Sequence, residues 1–366
     1  MTLTPRPGIL DISPYVGGRA SVSGVKKVWK LSSNESPLGP GPAALETMKT
    51  IADDVSLYPE GSARILREAI GEVFGLDPAR IIGSGDGSDA LLTLLAAAYL
   101  RPADEVIFSE HAFLIYKIAT LANSARPVIV KERATNRAIK VDVDAMLAAV
   151  TPQTRMVYIA NPNNPTGSYI TRDELRRLHK GLPGHVLLVI DSAYSEYVVA
   201  DDYEDGTALV SEFDNVVMTR TFSKIHGLAG LRIGWAYAPA SVCDVLNRIR
   251  GPFNVGNLQG RVGAAAIRDQ VHVQRAVAHN EKWKSWLTDE IRKTGLRVDD
   301  SVANFVLIHF PQGKKDASAA DAFLISKGLI LRQLANYKLP EALRLTVGPA
   351  EANQLVAAAI REFMEQ

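Results

Sequence analysis

The sequence predicts an α/β fold, with a largely parallel sheet covered by helices on both faces and a smaller α+β unit after it. Three observations carry that expectation. From about residue 62, short apolar β-branched runs alternate with segments of helical period, the pattern of a parallel sheet whose crossovers are helices. Near Gly251-Pro252 the alternation gives way to a long helical stretch followed by two short strands. The chain has 366 residues, 47% hydrophobic and 22% charged, which supports a substantial core but is long for a single one.

The elements follow in chain order. The first 35 or so residues contain Pro5, Pro7, Pro14 and four glycines, and read as an arm rather than a domain. Ser62 is the expected N-cap of a helix whose apolar positions Ile65, Leu66, Ala69, Ile70 and Val73 recur every three or four residues, with Gly75 as its stop. Strands are expected at Val106–Phe108, Val128–Val130, Met156–Ala160, Val186–Ile190, Val216–Thr219 and Ile233–Ala238. Thr171 with Glu174 three residues on is a capping-box pattern. A helical stretch over 256–293, strands at Phe305–His309 and Leu343–Thr346, and a closing helix over 350–363 complete the smaller unit.

Composition narrows the function classes. There are 41 Lys+Arg against 40 Asp+Glu, a net charge of +1, so no concentrated basic surface for nucleic acid or an acidic membrane is expected. The single cysteine, Cys243, excludes an internal disulfide framework and a cysteine-cluster metal site. Met1 to Asp11 hold no apolar stretch of signal-peptide length, and the most apolar run, Ala90–Leu100, is too short to span a membrane. A cytoplasmic enzyme or small-molecule binding protein is the expectation.

Local motifs choose between these. Gly83-Ser84-Gly85-Asp86-Gly87-Ser88-Asp89 precedes a helical run, and backbone N–H groups at such a start favour an anion. A dinucleotide fingerprint would need glycine at position 88, which is serine, and no P-loop Gly-Lys-Ser/Thr is present. Asn161-Pro162-Asn163-Asn164-Pro165-Thr166-Gly167 follows a predicted strand, at the edge where open α/β sheets bind ligands. Asp191 ends the next strand, with Tyr194 three residues later, and the strand after that runs into Arg220-Thr221-Phe222-Ser223-Lys224 and on to Arg232. Each alone reads as a turn, a cap or a solvated loop residue. Together, an Asn, an Asp, a Tyr and a Lys past the ends of successive strands meet the needs of pyridoxal phosphate. The lysine can condense with its aldehyde, the aspartate can keep its ring nitrogen protonated, and the amide and phenol can bond its phenolate oxygen. The glycine-rich helix start with Thr221, Ser223 and Arg232 suits its phosphate.

At these residues the chain resembles the fold-type I pyridoxal-phosphate aminotransferases, and within them the histidinol-phosphate aminotransferases. The matching segments are Ser33 to Gly39, Leu57-Tyr58-Pro59, Gly87-Ser88-Asp89, Asn161 to Gly167, Asp191 to Tyr194, Arg220 to Arg232, Asn304-Phe305-Val306 and Leu343 to Gly348. They keep the family's order over nearly the whole chain. The resemblance implies that Lys224 bonds covalently to the cofactor, that Asp191 pairs with the pyridinium nitrogen, and that Asn164 and Tyr194 reach its 3′ oxygen. It gives the cofactor phosphate to Ser88, Asp89, Thr221, Ser223 and Arg232, and the ring stack to Phe113. Tyr58 matches a tyrosine that reaches the neighbouring subunit's cofactor phosphate, which implies a homodimer. Arg344 matches the clamp on a substrate carboxylate; Arg332, Tyr15 and Asn34 fall on the substrate side, Arg332 and Tyr15 towards its phosphate-bearing end. It further implies an arm over 1–37 that joins the small domain, a large cofactor domain over 38–250 and a small domain over 251–366.

The implied reaction is transamination between L-histidinol phosphate and 2-oxoglutarate in histidine biosynthesis. Ser192 and Ala90 stand where the family often has Glu, and Arg332 to Tyr337 departs from the commoner pattern, which bears on the substrate. The competing readings are an aromatic or broad-range aminotransferase, a non-catalytic regulator on the same fold, and a dinucleotide oxidoreductase, the last opposed by Ser88. His272 and His279, seven apart on a predicted helix, lack an acidic companion, so no metal is expected. Lys282, Lys284, Arg292 and Lys293 read as a solvated helix face, with Trp283 and Trp286 partly buried beside it.

Overall fold

The computed structural model describes residues 3–15, 17–19, 21, 24, 27–51 and 56–366, so part of the arm expected over 1–37 lies outside the described residues. Its strands are β1 (Trp29–Lys30), β2 (Ile81–Ser84), β3 (Glu105–Ser109), β4 (Arg126–Val130), β5 (Arg133–Ala134), β6 (Ile139–Lys140), β7 (Thr154–Ala160), β8 (Leu187–Asp191), β9 (Val216–Thr221), β10 (Gly234–Tyr237), β11 (Arg297–Val298), β12 (Phe305–His309), β13 (Leu329–Ile330), β14 (Arg332–Gln333) and β15 (Ala342–Thr346). The helices are α1 (Pro42–Lys49), α2 (Arg64–Phe74), α3 (Gly87–Tyr99), α4 (Leu114–Ala122), α5 (Val143–Ala148), α6 (Arg172–Gly181), α7 (Thr207–Glu212), α8 (Ala240–Ile249), α9 (Asn257–Arg268), α10 (Gln270–Arg292), α11 (Ala317–Ser326) and α12 (Ala350–Glu365).

Seven strands form one sheet in the order β2-β10-β9-β8-β7-β3-β4, parallel except for β10, which is antiparallel to both neighbours. Burial on both faces explains why its central strands read as continuous apolar runs. Alternate residues feed different cores, because side chains on a strand alternate between faces. Val157, Ile159, Leu188, Ile190 and Met218 join Leu66 and Ile70 of α2 and Leu175 and Leu178 of α6 on one face. Met156, Tyr158, Val189 and Val217 join Leu91, Leu92 and Leu95 of α3, Tyr116 of α4 and Leu246 of α8 on the other.

A second sheet, β11-β12-β15-β14, is antiparallel and packs with α10, α11 and α12 through Val306, Ile308, Leu343, Leu345, Leu287, Leu324 and Ile360. The arm contributes to that layer. β1 pairs in parallel with β13, Leu31 enters the same apolar cluster, and the Leu31 carbonyl accepts from the Thr346 N–H at 3.0 Å.

Several local expectations meet corrections. Ser62 does not cap α2, whose cap position is Ala63 in the left-handed region at φ 54°. The Glu60 carboxylate takes that role, accepting from the Ser62 and Arg64 N–H groups at 2.9 Å each. Those bonds hold its carboxyl below the usual range. Gly75 ends α2 at φ 66° and Thr171 with Glu174 closes the capping box of α6, both as read from the sequence. The expected helix over 256–293 is two helices, divided at Asp269, whose carboxylate accepts from the His272 N–H at 3.1 Å and starts α10. The basic face there is not wholly solvated: the Lys284 side chain is mostly buried beside Glu281, and Arg292 bonds the Val298 carbonyl at 2.6 Å.

Gly227 fixes how the segment after β9 meets the chain before α1. It adopts φ +67°, and a Cβ there would lie 2.1 Å from the Gly39 carbonyl oxygen. Backbone cannot give way as a flexible side chain can. Gly227→Ala is therefore expected to destabilise the protein by more than about 2 kcal/mol, read as a lower urea midpoint. A midpoint equal to that of the wild type would mean that the two segments are not in fixed contact.

Candidate active site

The pairing of β7, β8 and β9 brings the candidate residues together. Ala160 lies opposite Asp191 and Asp191 opposite Thr219, so three carboxyl ends sit side by side. The Asn161 N–H continues the ladder to the Asp191 carbonyl at 2.9 Å. The Asn161 amide then closes the following loop on itself, accepting from the Ile170 N–H at 3.0 Å. Asn163 bonds Thr166 Oγ1 at 2.9 Å and the His111 carbonyl at 3.2 Å. Thus two of the three asparagines are structural, and Asn164 lines the cavity.

Asp191 is buried at the cavity floor. Its Oδ2 accepts from Tyr116 Oη at 2.9 Å and its Oδ1 from Thr219 Oγ1 at 3.4 Å. Burial is the main cause that pushes its carboxyl up to about 6, partly offset by the Tyr116 bond. Lys224, just past β9, lies in the same cavity, its Nζ donating to the Ser33 carbonyl at 3.3 Å. Burial, reinforced by the Arg344 charge, lowers its ammonium from 10.5 to about 8, so the amine becomes half neutral near pH 8. Tyr194 is buried, accepts from Asn34 Nδ2 at 2.8 Å, and is pushed up to about 12, chiefly by desolvation.

The second sheet and the arm supply the opposite wall. Arg344 on β15 is buried, donates to the Ser32 carbonyl at 2.8 Å and to Asn164 Oδ1, and lies over the Phe305 ring. Its Nε is buried with no protein partner. Arg332 on β14 pairs in register with Arg344, so two guanidinium groups enter the cavity from neighbouring strands. Asn34, at φ 57°, ties the arm in: Thr346 Oγ1 donates to its Oδ1 at 3.1 Å and Asn304 Nδ2 to its carbonyl at 3.0 Å.

An anion cradle forms one end. The first turn of α3 presents Gly87, Ser88 and Asp89 beside Thr221, Ser223 and Arg232. Gly87 has φ +71° and approaches so closely that a Cβ would meet Arg232 Nη2 at 2.5 Å. Arg232 Nη1 donates to Ser223 Oγ at 3.2 Å, and its Nη2 is 3.4 Å from Asp89. Helix start, hydroxyls and guanidinium together offer donors suited to a phosphate. The donor set therefore fits a group carrying a phosphate, an aldehyde within reach of Lys224 and a basic ring nitrogen opposite Asp191. The unpartnered Arg344 Nε suits a further carboxylate.

The cavity, about 250 Å³, gathers Tyr15, Asn34, Ser88, Asp89, Phe113, Asn164, Asp191, Tyr194, Thr221, Ser223, Lys224, Arg232, Arg332 and Arg344, which is every sequence-derived site residue except Tyr58. Tyr58 is 83% exposed, stacks on Phe253 at 4.7 Å, and shares an outer groove with Arg232. Sequence reasoning missed Tyr116, Tyr337 and the Ser33 carbonyl. Tyr116 lies three residues after Phe113, one helical turn on, and that spacing was a usable signal. His272 and His279 bond the carbonyls of Gly39 and Gly348 and are structural. Among the described residues, Glu110, His111 and Glu132 are the group with metal-ligand chemistry close together, but Lys338 pairs with Glu110 at 2.8 Å.

The chain is similar to known proteins over nearly its whole length. The family described as aminotransferase class I and II matches residues 26–360. A protein of Rhodopseudomonas palustris strain TIE-1 named histidinol-phosphate aminotransferase is 57% identical over 364 residues, 99% of this chain and 98% of that one. One of the same name from Nitrobacter hamburgensis is 56% identical with the same coverage. Among solved structures, histidinol-phosphate aminotransferase from Sinorhizobium meliloti in complex with pyridoxal-5′-phosphate has a TM-score of 0.84 at 28% identity, covering 93% of this chain and 92% of that one. Aspartate aminotransferase from Thermotoga maritima shares the fold at a TM-score of 0.82 and 20% identity, covering 93% of this chain and 92% of that one.

The lowered Lys224 ammonium has a direct readout. Borohydride trapping of a small aldehyde on the protein is expected to rise with pH through about 8 rather than near the ordinary lysine value of 10.5, and to be lost in Lys224→Ala. A profile still climbing near the ordinary value would show that the amine is not desolvated.

Proposed function

The chain belongs to the class I and II aminotransferases, which depend on pyridoxal phosphate, and we propose that it converts L-histidinol phosphate and 2-oxoglutarate to imidazole-acetol phosphate and L-glutamate, reversibly, in histidine biosynthesis. One observation carries this reading: Lys224, Asp191, Asn164 and Tyr194 converge on a cavity that also holds an anion cradle and the register-paired Arg332 and Arg344. Relatives at 55% to 57% identity over nearly the full chain, all named histidinol-phosphate aminotransferase, support the substrate. They do not favour the aromatic or broad-range alternative.

When bound, pyridoxal phosphate supplies an aldehyde carbon for the amino group to join and a ring that takes up the electron pair released at the substrate Cα. The protein does the rest. Lys224, neutral in part near pH 8, would serve as the base for the Cα proton and then as the acid that returns it to the cofactor. Asp191 would hold the proton on the ring nitrogen. Asn164 and Tyr194 would serve the 3′ oxygen, Phe113 would stack on the ring, and Ser88, Asp89, Thr221, Ser223 and Arg232 would take the phosphate. Histidinol phosphate has no carboxylate, so Arg344 serves glutamate, while Arg332 and Tyr15 meet the histidinol phosphate anion. Asn34 supports that pocket by donating to Tyr194. One pocket thereby accepts both partners of a ping-pong exchange.

The working unit of this reading is a homodimer, with Tyr58 of one subunit completing the phosphate site of the other. Its support is the exposed Tyr58 ring in a groove that reaches Arg232. We also read the chain as an arm over 1–37, a large domain over 38–250 and a small domain over 251–366, although α9 packs with the large sheet through Val262, Ala266 and Ile267. No helix among the described residues is long and apolar enough to cross a membrane, which agrees with a cytoplasmic enzyme.

The decisive assay supplies histidinol phosphate with 2-oxoglutarate and measures glutamate. Arg344→Ala is expected to raise KM for glutamate by about tenfold to a hundredfold, with less effect on histidinol phosphate. Faster turnover of phenylalanine than of histidinol phosphate would overturn the substrate. Tyr58→Phe mixed with Lys224→Ala subunits should give activity that independent monomers cannot; purely monomeric sedimentation refutes the shared site.

A further inference from the structure

Tyr116 is a buried titratable group that the chemistry above leaves unused, although its bond to the Asp191 carboxylate is shorter than that of Thr219. It belongs to the first turn of α4 and is fully buried. Its Oη donates to Asp191 Oδ2 at 2.9 Å. Its ring lies flat against Tyr158, with centroids 4.6 Å apart and planes 4° from parallel, and Tyr158 is itself anchored by its hydroxyl to the Leu92 carbonyl at 3.0 Å. On its other side it meets Phe113 edge-on at 6.0 Å and 87°. The phenol is thus held in one orientation from two directions, aimed at a single carboxylate oxygen.

We propose that Tyr116 is a positioning residue for the reaction, which fixes the Asp191 carboxylate and keeps the proton shared between Asp191 and the cofactor's ring nitrogen on the nitrogen. This rests on the reading that Asp191 faces that nitrogen. The argument is electrostatic. A carboxylate without solvent is a strong base, and next to a protonated ring nitrogen it tends to take the proton and leave a neutral pair. A hydrogen-bond donor on the carboxylate stabilises its anion and opposes that transfer. Thr219, at 3.4 Å, is a weaker donor to the other oxygen. Tyr116 itself cannot lose its proton to do this work, since burial and the Asp191 charge hold its phenol well above the ordinary value. Through its edge contact with Phe113 the same residue also sets the ring that lies over the cofactor face.

The test uses the cofactor-loaded protein with pyridoxal phosphate isotopically labelled at the ring nitrogen. In Tyr116→Phe, which keeps both ring contacts, the ring-nitrogen resonance is expected to move toward its unprotonated position, and kcat to fall about tenfold or more with KM little changed. A ring-fluorinated tyrosine at position 116, a stronger donor of the same shape, should move the resonance the opposite way, and keeps the test available if the Phe variant does not fold. Tyr158→Phe removes a buried hydroxyl that does not touch Asp191, and its resonance should match that of the wild type. An unchanged resonance in Tyr116→Phe, or an equal shift in Tyr158→Phe, overturns the role given to Tyr116. Failure of the wild type to take up the cofactor or to transaminate would strike the proposed function instead.

Discussion

The in-register parallel pairing of β7, β8 and β9 is the constraint on which the site depends. It sets Ala160, Asp191 and Thr219 side by side, and Asn164, Asp191, Tyr194 and Lys224 all leave from those three ends. The loop after β7 carries Asn164, the end of β8 is Asp191, and the exit from β9 carries Thr221, Ser223 and Lys224. A one-residue slip of β8 would turn Asp191 to the opposite face of the sheet. The ladder is protected from such slips because alternate residues of each strand are committed to different apolar cores. Packing far from the cavity therefore fixes chemistry inside it.

Desolvation is the second organising effect, and it disfavours the charged form of each group it acts on. It lowers Lys224, which becomes a better nucleophile and base, and raises Asp191, an added basicity that the Tyr116 bond offsets in part. It also lowers Arg344 without discharging it, because a guanidinium stays protonated. The near-zero charge of the whole chain hides this arrangement. Arg332, Arg344 and Arg232 gather around one cavity whose ligands are anions, while elsewhere acids and bases pair along the surface.

Much of the site was legible in the sequence because its residues sit at the ends of apolar runs, where strand prediction and chemistry reinforce each other. Asn164, Asp191, Tyr194 and Lys224 were found that way, and the structure brings them to one cavity. What was not legible depends on spatial neighbours. Glu60 caps α2 in place of Ser62 because the turn before the helix aims that carboxylate at two N–H groups. The break at Asp269 was masked by an uninterrupted helical period on either side. Tyr116 stands in no motif, and although it lies one helical turn from Phe113, its contact with Asp191 joins residues 75 positions apart. Tyr58 carries a role only if a second subunit supplies the cavity it would complete.

The arm shows why a site can be built from segments that share no local structure. Asn34 donates to Tyr194, which follows β8, and accepts from Thr346 of β15, while its carbonyl accepts from Asn304. Its left-handed backbone is a conformation asparagine tolerates better than most residues. The Ser32 and Ser33 carbonyls on the same short stretch accept from Arg344 and Lys224. Three of these five bonds reach Tyr194, Arg344 and Lys224, which line the cavity, and the other two hold the stretch to Thr346 and Asn304. The Leu31 carbonyl, next to β1, bonds the same stretch to β15 of the second sheet, while β1 itself pairs with β13. Lys224 and Tyr194 follow strands of the large sheet and Arg344 lies on the second, so the spacing between the amine and the guanidinium is set by a segment that bonds both at neighbouring residues, Ser33 and Ser32.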